Sequence, residues 1–481
     1  MKFPSMQKEI MELKLPGIII NSVEQHPEGP AKALPGLPFG DAPAHIQVEL
    51  TCHPEPGSNI RVLVWLPAEN WNGDLLCVGN GGAAGMLLPF MMVSPLRLGF
   101  AVANTDLGTS AGPDCGIGNP AVWKDFGHRA THLMAVAAKA VVKSCFGHQP
   151  AHSYFTGSST GGQQALSAAQ RYPEDYDGIL AIAPAFDRVN LHLAFLHDWL
   201  AVNKGQAGLF SQEDAETLTR MFLTECGEQG GRQGDDPFFY HPHTIKVTEQ
   251  LLEKAGLTPA QSQGLMELHQ RVTDPVTGQP LYEATMVPGS EACDMGLAYR
   301  CAQSFGQDMF YLFRWVLGAD FDFRAFDFHT DGQTVHAALD EHLNATAADL
   351  SAFRARGGKL LLLHGTADPI IPYTSSVRYY EQVCQTMGDV SGFFRLFLIP
   401  GMAHTSGGPG LQDVGVGLPA TPKDSKHLAL LALKDWVETG RAPSTLYPVA
   451  FRDNNFANGF LPDGVEYERA VEHYEYANNE V

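Results

Sequence analysis

One local pattern constrains this chain more than any other. A strand-like run, HSYFTGS (152–158), meets a helix-like run, TGGQQALSAAQRYP (160–173), across Gly157-Ser158-Ser159-Thr160-Gly161. The five residues satisfy G-x-S-x-G, with Ser159 central and Ser158 in the variable place. A serine on a sharp strand-to-helix turn needs small residues two before and two after it, because the strained backbone leaves no room for a Cβ there. The turn lifts Oγ above the edge of a sheet and aims the next helix's N-terminus at negative charge developing beside it. Glycine-rich turns holding a serine also occur in inert loops. The strand before and the helix after are what make this one read as a nucleophile elbow.

The flanking sequence supplies the sheet that such a turn requires. NIRVLVWLP, GDLLCVGN and LGFAVANTD are apolar runs, RATHLMAVAAKAVVKSCFG reads as a helix with glycine just past its end, and YDGILAIAPA is a further buried strand. Strand–helix–strand order with apolar strands predicts a mostly parallel sheet with helices on both faces. From about 190 to 330 the texture changes to helical runs, loose glycine-rich connections and many aromatics. The alternation resumes near 350. At 481 residues the chain is too long for one ordinary core. The expectation is a catalytic α/β domain from 1–190 and 330–481, with an inserted lid over 190–330 that carries the substrate contacts. The aromatic run 305–328 can line a pocket or form lid core, and core is the simpler reading.

A serine nucleophile needs a base, and the base an orienting carboxylate, in the chain order Ser, Asp or Glu, His. Two late strand ends supply them. LLLLHGTADPIIP places Asp368 just past a buried strand, and FLIPGMAHTSGGPG places His404 just past the next. His364, four residues before Asp368, is a competitor or a structural neighbour. Charge on a substrate carbonyl oxygen needs preorganised donors. The Thr160 amide is one; the loop GNGGAAG (79–85) offers the other, Gly82 being favoured and Gly81 close behind. That loop has no following Gly-Lys-Ser/Thr, so it is no phosphate loop. The pairs His241/His243 and His336/His342 lack further ligands at zinc spacing and read as ordinary surface or packing residues.

The formal net charge of −21 argues against nucleic acid and against an anionic membrane surface. No stretch approaches a membrane span. The opening MKFPSMQKEIMELKLPGIII does not read as a secretory signal, and the eight cysteines are scattered, without CxxC pairs. Reduced thiols and a cytoplasmic location are the expectation.

Taken together, WNGDLLCVGNGGAAG, NTDLGT, DFGHRATH, YFTGSSTGGQQAL, RYPEDYDGILAIAPA, GGKLLLLHGTADPIIP and GMAHTSGGPG occur in an order that resembles the tannase and feruloyl esterase family of α/β-hydrolases, over roughly 45–445. The resemblance implies an α/β-hydrolase core with a large lid inserted after the strand near 180. It also implies hydrolysis of esters of aromatic acids, and it carries the nucleophile, acid and base onto Ser159, Asp368 and His404. Two departures stand out. The family's cysteines beside the nucleophile and the histidine are replaced by Ser158 and Thr405, whose hydroxyls are expected to lie close together. The lid's calcium loop corresponds to CGEQGGRQGDDP (226–237), where Gly227, Gly230 and Gly234 stand in place of aspartates. Asp235 and Asp236 alone make a poor cage for an ion that takes six to eight oxygens. No metal and no cofactor is therefore expected. The partner implied is a small aromatic ester; the alternatives are an acyltransferase with an alcohol acceptor on the same triad, or a binding protein. The tail after 450 has no assigned role.

Overall fold

The computed structural model describes residues 3–30, 41–110, 112–203, 209–418, 421–452 and 464–476. Its main sheet has nine strands: β1 (Ile18–His26), β2 (His45–Cys52), β3 (Ile60–Pro67), β4 (Leu75–Val78), β5 (Ala101–Thr105), β6 (Ser153–Ser158), β7 (Gly178–Ile182), β8 (Lys359–Gly365) and β9 (Phe394–Ile399). In space they run β1-β2-β3-β5-β4-β6-β7-β8-β9. The first three strands and the β3–β5 pair are antiparallel, and every pairing from β5 through β4 to β9 is parallel. The chain has the α/β-hydrolase fold, with a large helical insertion between β7 and β8.

The alternation within the strands divides the core. On β3, Val62 and Val64 join the hydrophobic cluster on one face, while Leu63 and Trp65 join the cluster on the other; Phe155 and Tyr154 of β6 divide in the same way. Strands buried on both faces therefore read as continuous apolar runs, as β8 does from Leu360 to Leu363. The edge strand β1 buries only Val23 and leaves its other residues half-buried or exposed, with a register shift between Ile20 and Ser22, and lies beyond the runs that stand out in the sequence.

The insertion between β7 and β8 is not packed as one body. Ala215, Leu218, Phe222, Leu252 and Leu265 form a separate cluster. The aromatic run contributes Phe305, Phe310, Tyr311, Phe313 and Trp315 to the core that continues under the sheet. Phe310 packs edge-to-face against Phe305 and Phe323, and Tyr311 against Trp315. The tail returns as two short strands, Val465–Glu468 and Val471–Glu472, pairing with Val449–Phe451 and Thr445–Leu446; tail residues 453–463 and 477–481 lie outside the described residues. Among the described residues, no helix is long and apolar enough to cross a membrane.

Because β4 and β6 to β9 are parallel neighbours, their carboxyl ends share one edge, where ligands bind in open α/β sheets. Glycine is required where β4 meets the elbow. A Cβ on Gly157 would lie 2.5 Å from Gly161 O, and one on Gly79 would lie 2.7 Å from Gly161 Cα. Gly157→Ala should therefore cost about 3 kcal/mol or more. Gly392→Ala, where an added Cβ meets nothing within 4 Å, should stay within about 0.5 kcal/mol of wild type. Denaturant midpoints of the two variants check this pair, and equal midpoints would contradict the packing described.

Candidate active site

Helix α1 (Thr160–Arg171) follows β6 directly, and Ser159 stands between them at φ 59° and ψ −116°. This backbone conformation is costly for a residue with a Cβ, and it persists only where the surroundings enforce it. They do so from three sides. Ser159 N–H donates to Ile182 O at 2.9 Å, and Ser159 O accepts from Gln163 N–H and Ala185 N–H, each at 3.1 Å. The 79–85 loop is fastened to the same helix: Gly161 N–H donates to Asn80 O at 2.8 Å, and Asn80 N–H donates to Gln164 Oε1, also at 2.8 Å.

The candidate acid and base, Asp368 and His404, come together through the loops after β8 and β9. Thr366 N–H donates to Ile399 O and Ala367 N–H to Met402 O, both at 3.0 Å, and Gly401 N–H donates to Thr366 Oγ1 at 2.9 Å. The result places His404 Nδ1 2.7 Å from Asp368 Oδ2. A ring nitrogen that close to a carboxylate carries the hydrogen, so the lone pair of neutral His404 is on Nε2, the form a general base needs. Thr405, next in sequence, sits at φ 66° inside a tight turn closed by Ser406 N–H on His404 O at 2.8 Å.

Asp368 is fully buried. Its Oδ1 accepts from Ile370 N–H at 2.8 Å and Ile371 N–H at 2.9 Å. Burial by itself would raise its pKa, but His404 and His364 outweigh burial and hold the carboxyl below the ordinary range. His364 is a second imidazole on the same carboxylate, with Nε2 3.2 Å from Oδ2 and 2.9 Å from Ile371 O. It is wholly buried and does not reach the cavity. From the insertion, Arg300 Nη2 donates to Pro369 O at 2.6 Å and Nη1 to Asp198 Oδ2 at 2.5 Å, which pins the acid loop from above.

Ser159, His404, Gly81 and Gly82 line one cavity of about 630 Å³. Among the described residues, no hydrogen bond joins Ser159 Oγ to His404, and in free enzymes such contacts often tighten only when substrate binds. The amides of Thr160 and Gly82 likewise have no partner among the described residues. Most of the wall is apolar and comes from Leu88, Phe90, Met91, Leu98, Leu418 and Leu428. These belong to the segment after β4 and to the loop after β9, so most of this wall lies outside the insertion. Of residues 190–330, only Met295 among the described residues lines this cavity. A second hollow of about 480 Å³ on the other side of His404 takes Thr219, Gly289 and Ala292 to Met295. The aromatic run lines neither. Ser158 and Thr405 both border the main cavity, with no hydrogen bond between them among the described residues. All eight cysteines are free.

In the 226–237 loop, Asp236 already holds a cation. Its two oxygens accept from Arg469 Nη1 at 2.8 Å and Nη2 at 2.9 Å. His243 bonds the Tyr373 hydroxyl and His336 bonds Asp340. Among the described residues, neither pair belongs to a group of three potential metal ligands.

Fold and site together define a carboxylic ester hydrolase of the α/β-hydrolase class. The chain belongs to the tannase and feruloyl esterase family: the sequence model described as "Tannase and feruloyl esterase" matches residues 46–247 and 290–471. A probable feruloyl esterase B-2 from Aspergillus oryzae is 32% identical, over 95% of this chain and 89% of its own length. Among solved structures, an esterase from Aspergillus oryzae superposes with a TM-score of 0.86 at 28% identity, covering 98% of this chain and 96% of that one. Feruloyl esterase B from the same organism gives 0.83 at 26%, with the same coverage.

Behind the second hollow, Glu291 is fully buried, its Oε2 accepting from Thr219 Oγ1 at 3.0 Å and from Gly289 N–H at 2.9 Å. The His269 side chain lies beside it, with Nε2 3.8 Å from Oε1, and burial lowers that imidazole's pKa to about 4. Burial raises the Glu291 pKa from 4.5 to about 7. The folded state thus holds a proton that the unfolded state releases, so stability falls as pH rises from about 4.5 to about 7 and levels off above that. Glu291→Gln should match wild type near pH 4.5 and exceed it by on the order of 2–3 kcal/mol at pH 8. Urea titrations at the two pH values check this, and a constant difference between the proteins would contradict it.

Proposed function

We propose that the chain hydrolyses carboxylic esters of aromatic acids through an acyl-enzyme on Ser159. The observation that carries this reading is a single apolar cavity bordered at once by the strained serine, by a histidine whose Nε2 is left free, and by the 81–82 backbone. The relatives named as feruloyl esterases support the aromatic class. His404 Nε2 takes the Ser159 proton as Oγ attacks the ester carbonyl. Asp368 keeps the imidazole in the required tautomer and stabilises its charged form. The Thr160 and Gly82 amides receive the oxyanion, and His404 then gives the proton to the departing alkoxide. Water, deprotonated by His404, attacks the acyl-enzyme and releases the acid and free Ser159.

The leucine, methionine and phenylalanine walls suit a flat apolar acyl group. Lys423 also borders the cavity, its Nζ donating to Gly417 O at 2.9 Å and Leu418 O at 2.8 Å. An ammonium has three donors, so one is left for a polar substituent on the ring. Neither metal nor cofactor has a part in this scheme, and the Arg469–Asp236 pair supports the absence of calcium from the 226–237 loop. Eight free thiols favour a reducing compartment such as the cytoplasm.

The test is a panel of methyl ferulate, methyl gallate, a terephthalate monoester and p-nitrophenyl acetate, run with wild type, Ser159→Ala and Ser158→Ala. At least one aromatic ester should be cleaved, with kcat lowered roughly 10⁴-fold or more by Ser159→Ala and little changed by Ser158→Ala. Loss of activity on Ser158→Ala instead, or no cleavage of any ester, would overturn the assignment. Ester exchange outrunning hydrolysis when methanol is added would point to the acyltransferase.

A further inference from the structure

We propose that Arg188 is a positioning residue for the oxyanion site, and that its guanidinium is a standing positive charge matched only when the oxyanion forms. The inference rests on the ester-hydrolase reading above. Arg188 opens the first helix of the insertion (Arg188–Val202), soon after β7, and is 3% exposed. Its Nη1 donates to Thr160 Oγ1 at 2.9 Å. Its Nη2 donates to Gly82 O at 3.1 Å and to the Tyr311 hydroxyl. Thr160 Oγ1 in turn donates to Gly82 O at 2.7 Å. One side chain therefore ties together the two residues whose amides are assigned to the oxyanion, gripping Gly82 by its carbonyl and Thr160 by its hydroxyl. Both amides are left unbonded among the described residues. Gly82 needs such a grip, since it sits at φ 54° with open space where a Cβ would be.

What this guanidinium lacks is a carboxylate. Among the described residues no Asp or Glu lies within ion-pairing distance of it, and its buried Nε has no partner. The adjacent Asp187 accepts from Asn190 instead. Below it lies the face of Phe126, 5.2 Å from Cζ to the ring centroid. The contrast is Arg300, equally buried, which holds Asp198. A guanidinium cannot shed its proton to escape burial, and a buried charge without a counter-ion is expensive. Here the missing negative charge is the one that develops on the substrate oxygen beside Thr160 and Gly82. Such a charge favours the tetrahedral intermediate over the neutral ester, so its effect belongs in kcat rather than in KM.

The experiment uses the full chain with Arg188→Met, Arg188→Lys and Thr160→Val, the last keeping the Thr160 amide. Readouts are kcat and KM on the preferred ester, and inhibition by an arylboronic acid, whose serine adduct is a tetrahedral anion. Arg188→Met should lower kcat roughly 10²-fold with KM within about threefold, and weaken boronate inhibition by a similar factor. Arg188→Lys should recover part of both, and Thr160→Val should lower kcat in the same direction. A folded Arg188→Met with unchanged kcat, or with unchanged boronate affinity, would overturn the proposal. Should Arg188→Met fail to fold, Arg188→Lys and Thr160→Val decide it, and wild-type kcat in both would overturn it. If Ser159→Ala stays active, the underlying reading has failed; if it is dead while the Arg188 variants are unimpaired, only this inference has.

Discussion

The backbone of Ser159 is held where a residue with a Cβ does not rest by itself, and much of the surrounding structure is explained by what holds it there. The hydrogen bond to Ile182 continues the β6–β7 ladder past the turn, and the bonds from Gln163 and Ala185 fix its carbonyl. The turn closes only because Gly157 and Gly161 approach nearer than any Cβ allows, with Gly79 and Gly162 equally tight against the elbow and the Pro184 segment. The sheet edge is thus tied to the helix N-terminus, so the hydroxyl and the amide beside it are set before any substrate arrives.

Charge is arranged around that point with the same economy. A buried carboxylate is tolerable when its oxygens are filled, and Asp368 has two backbone amides on one oxygen and two imidazoles on the other. Only one of those imidazoles opens on the cavity: His404 borders it, while His364, held by Ser376 and Ile371, does not. Arg188 is the counterpart beside Thr160 and Gly82, a buried cation with hydrogen-bond acceptors but no counter-ion among the described residues. Five parallel strands thus bring five candidate site elements to one edge: the 79–85 loop after β4, Ser159 after β6, Arg188 after β7, Asp368 after β8 and His404 after β9.

The parts legible in the sequence are those whose physics is local. G-x-S-x-G announces itself because the turn demands glycine at fixed offsets, and Asp368 and His404 because each follows an apolar strand within a few residues. The parallel strands were legible for a related reason, burial on both faces leaving continuous apolar runs. Arg188 gave no such signal: its partners Gly82, Thr160 and Tyr311 lie 106, 28 and 123 residues away, and a single arginine at a helix start suggests nothing. The source of the cavity wall is non-local in the same way. An inserted lid was the natural source of substrate contacts, yet the main cavity draws Leu88, Phe90 and Leu418 from core loops, and the aromatic run faces inward. Ser158 and Thr405 both reach the rim of the main cavity, with no hydrogen bond between them among the described residues.

The central claim is that Ser159, and neither its neighbour nor a water, attacks the ester carbonyl. It is tested most directly by trapping the adduct. Wild type, Ser158→Ala and Ser159→Ala would each be treated with an aryl phosphonate ester and analysed by intact-mass and peptide mass spectrometry. The account predicts one stoichiometric label on Ser159 in wild type and in Ser158→Ala, and none in Ser159→Ala. A label on another residue, or full hydrolytic activity in a protein whose Ser159 is already modified, would contradict it.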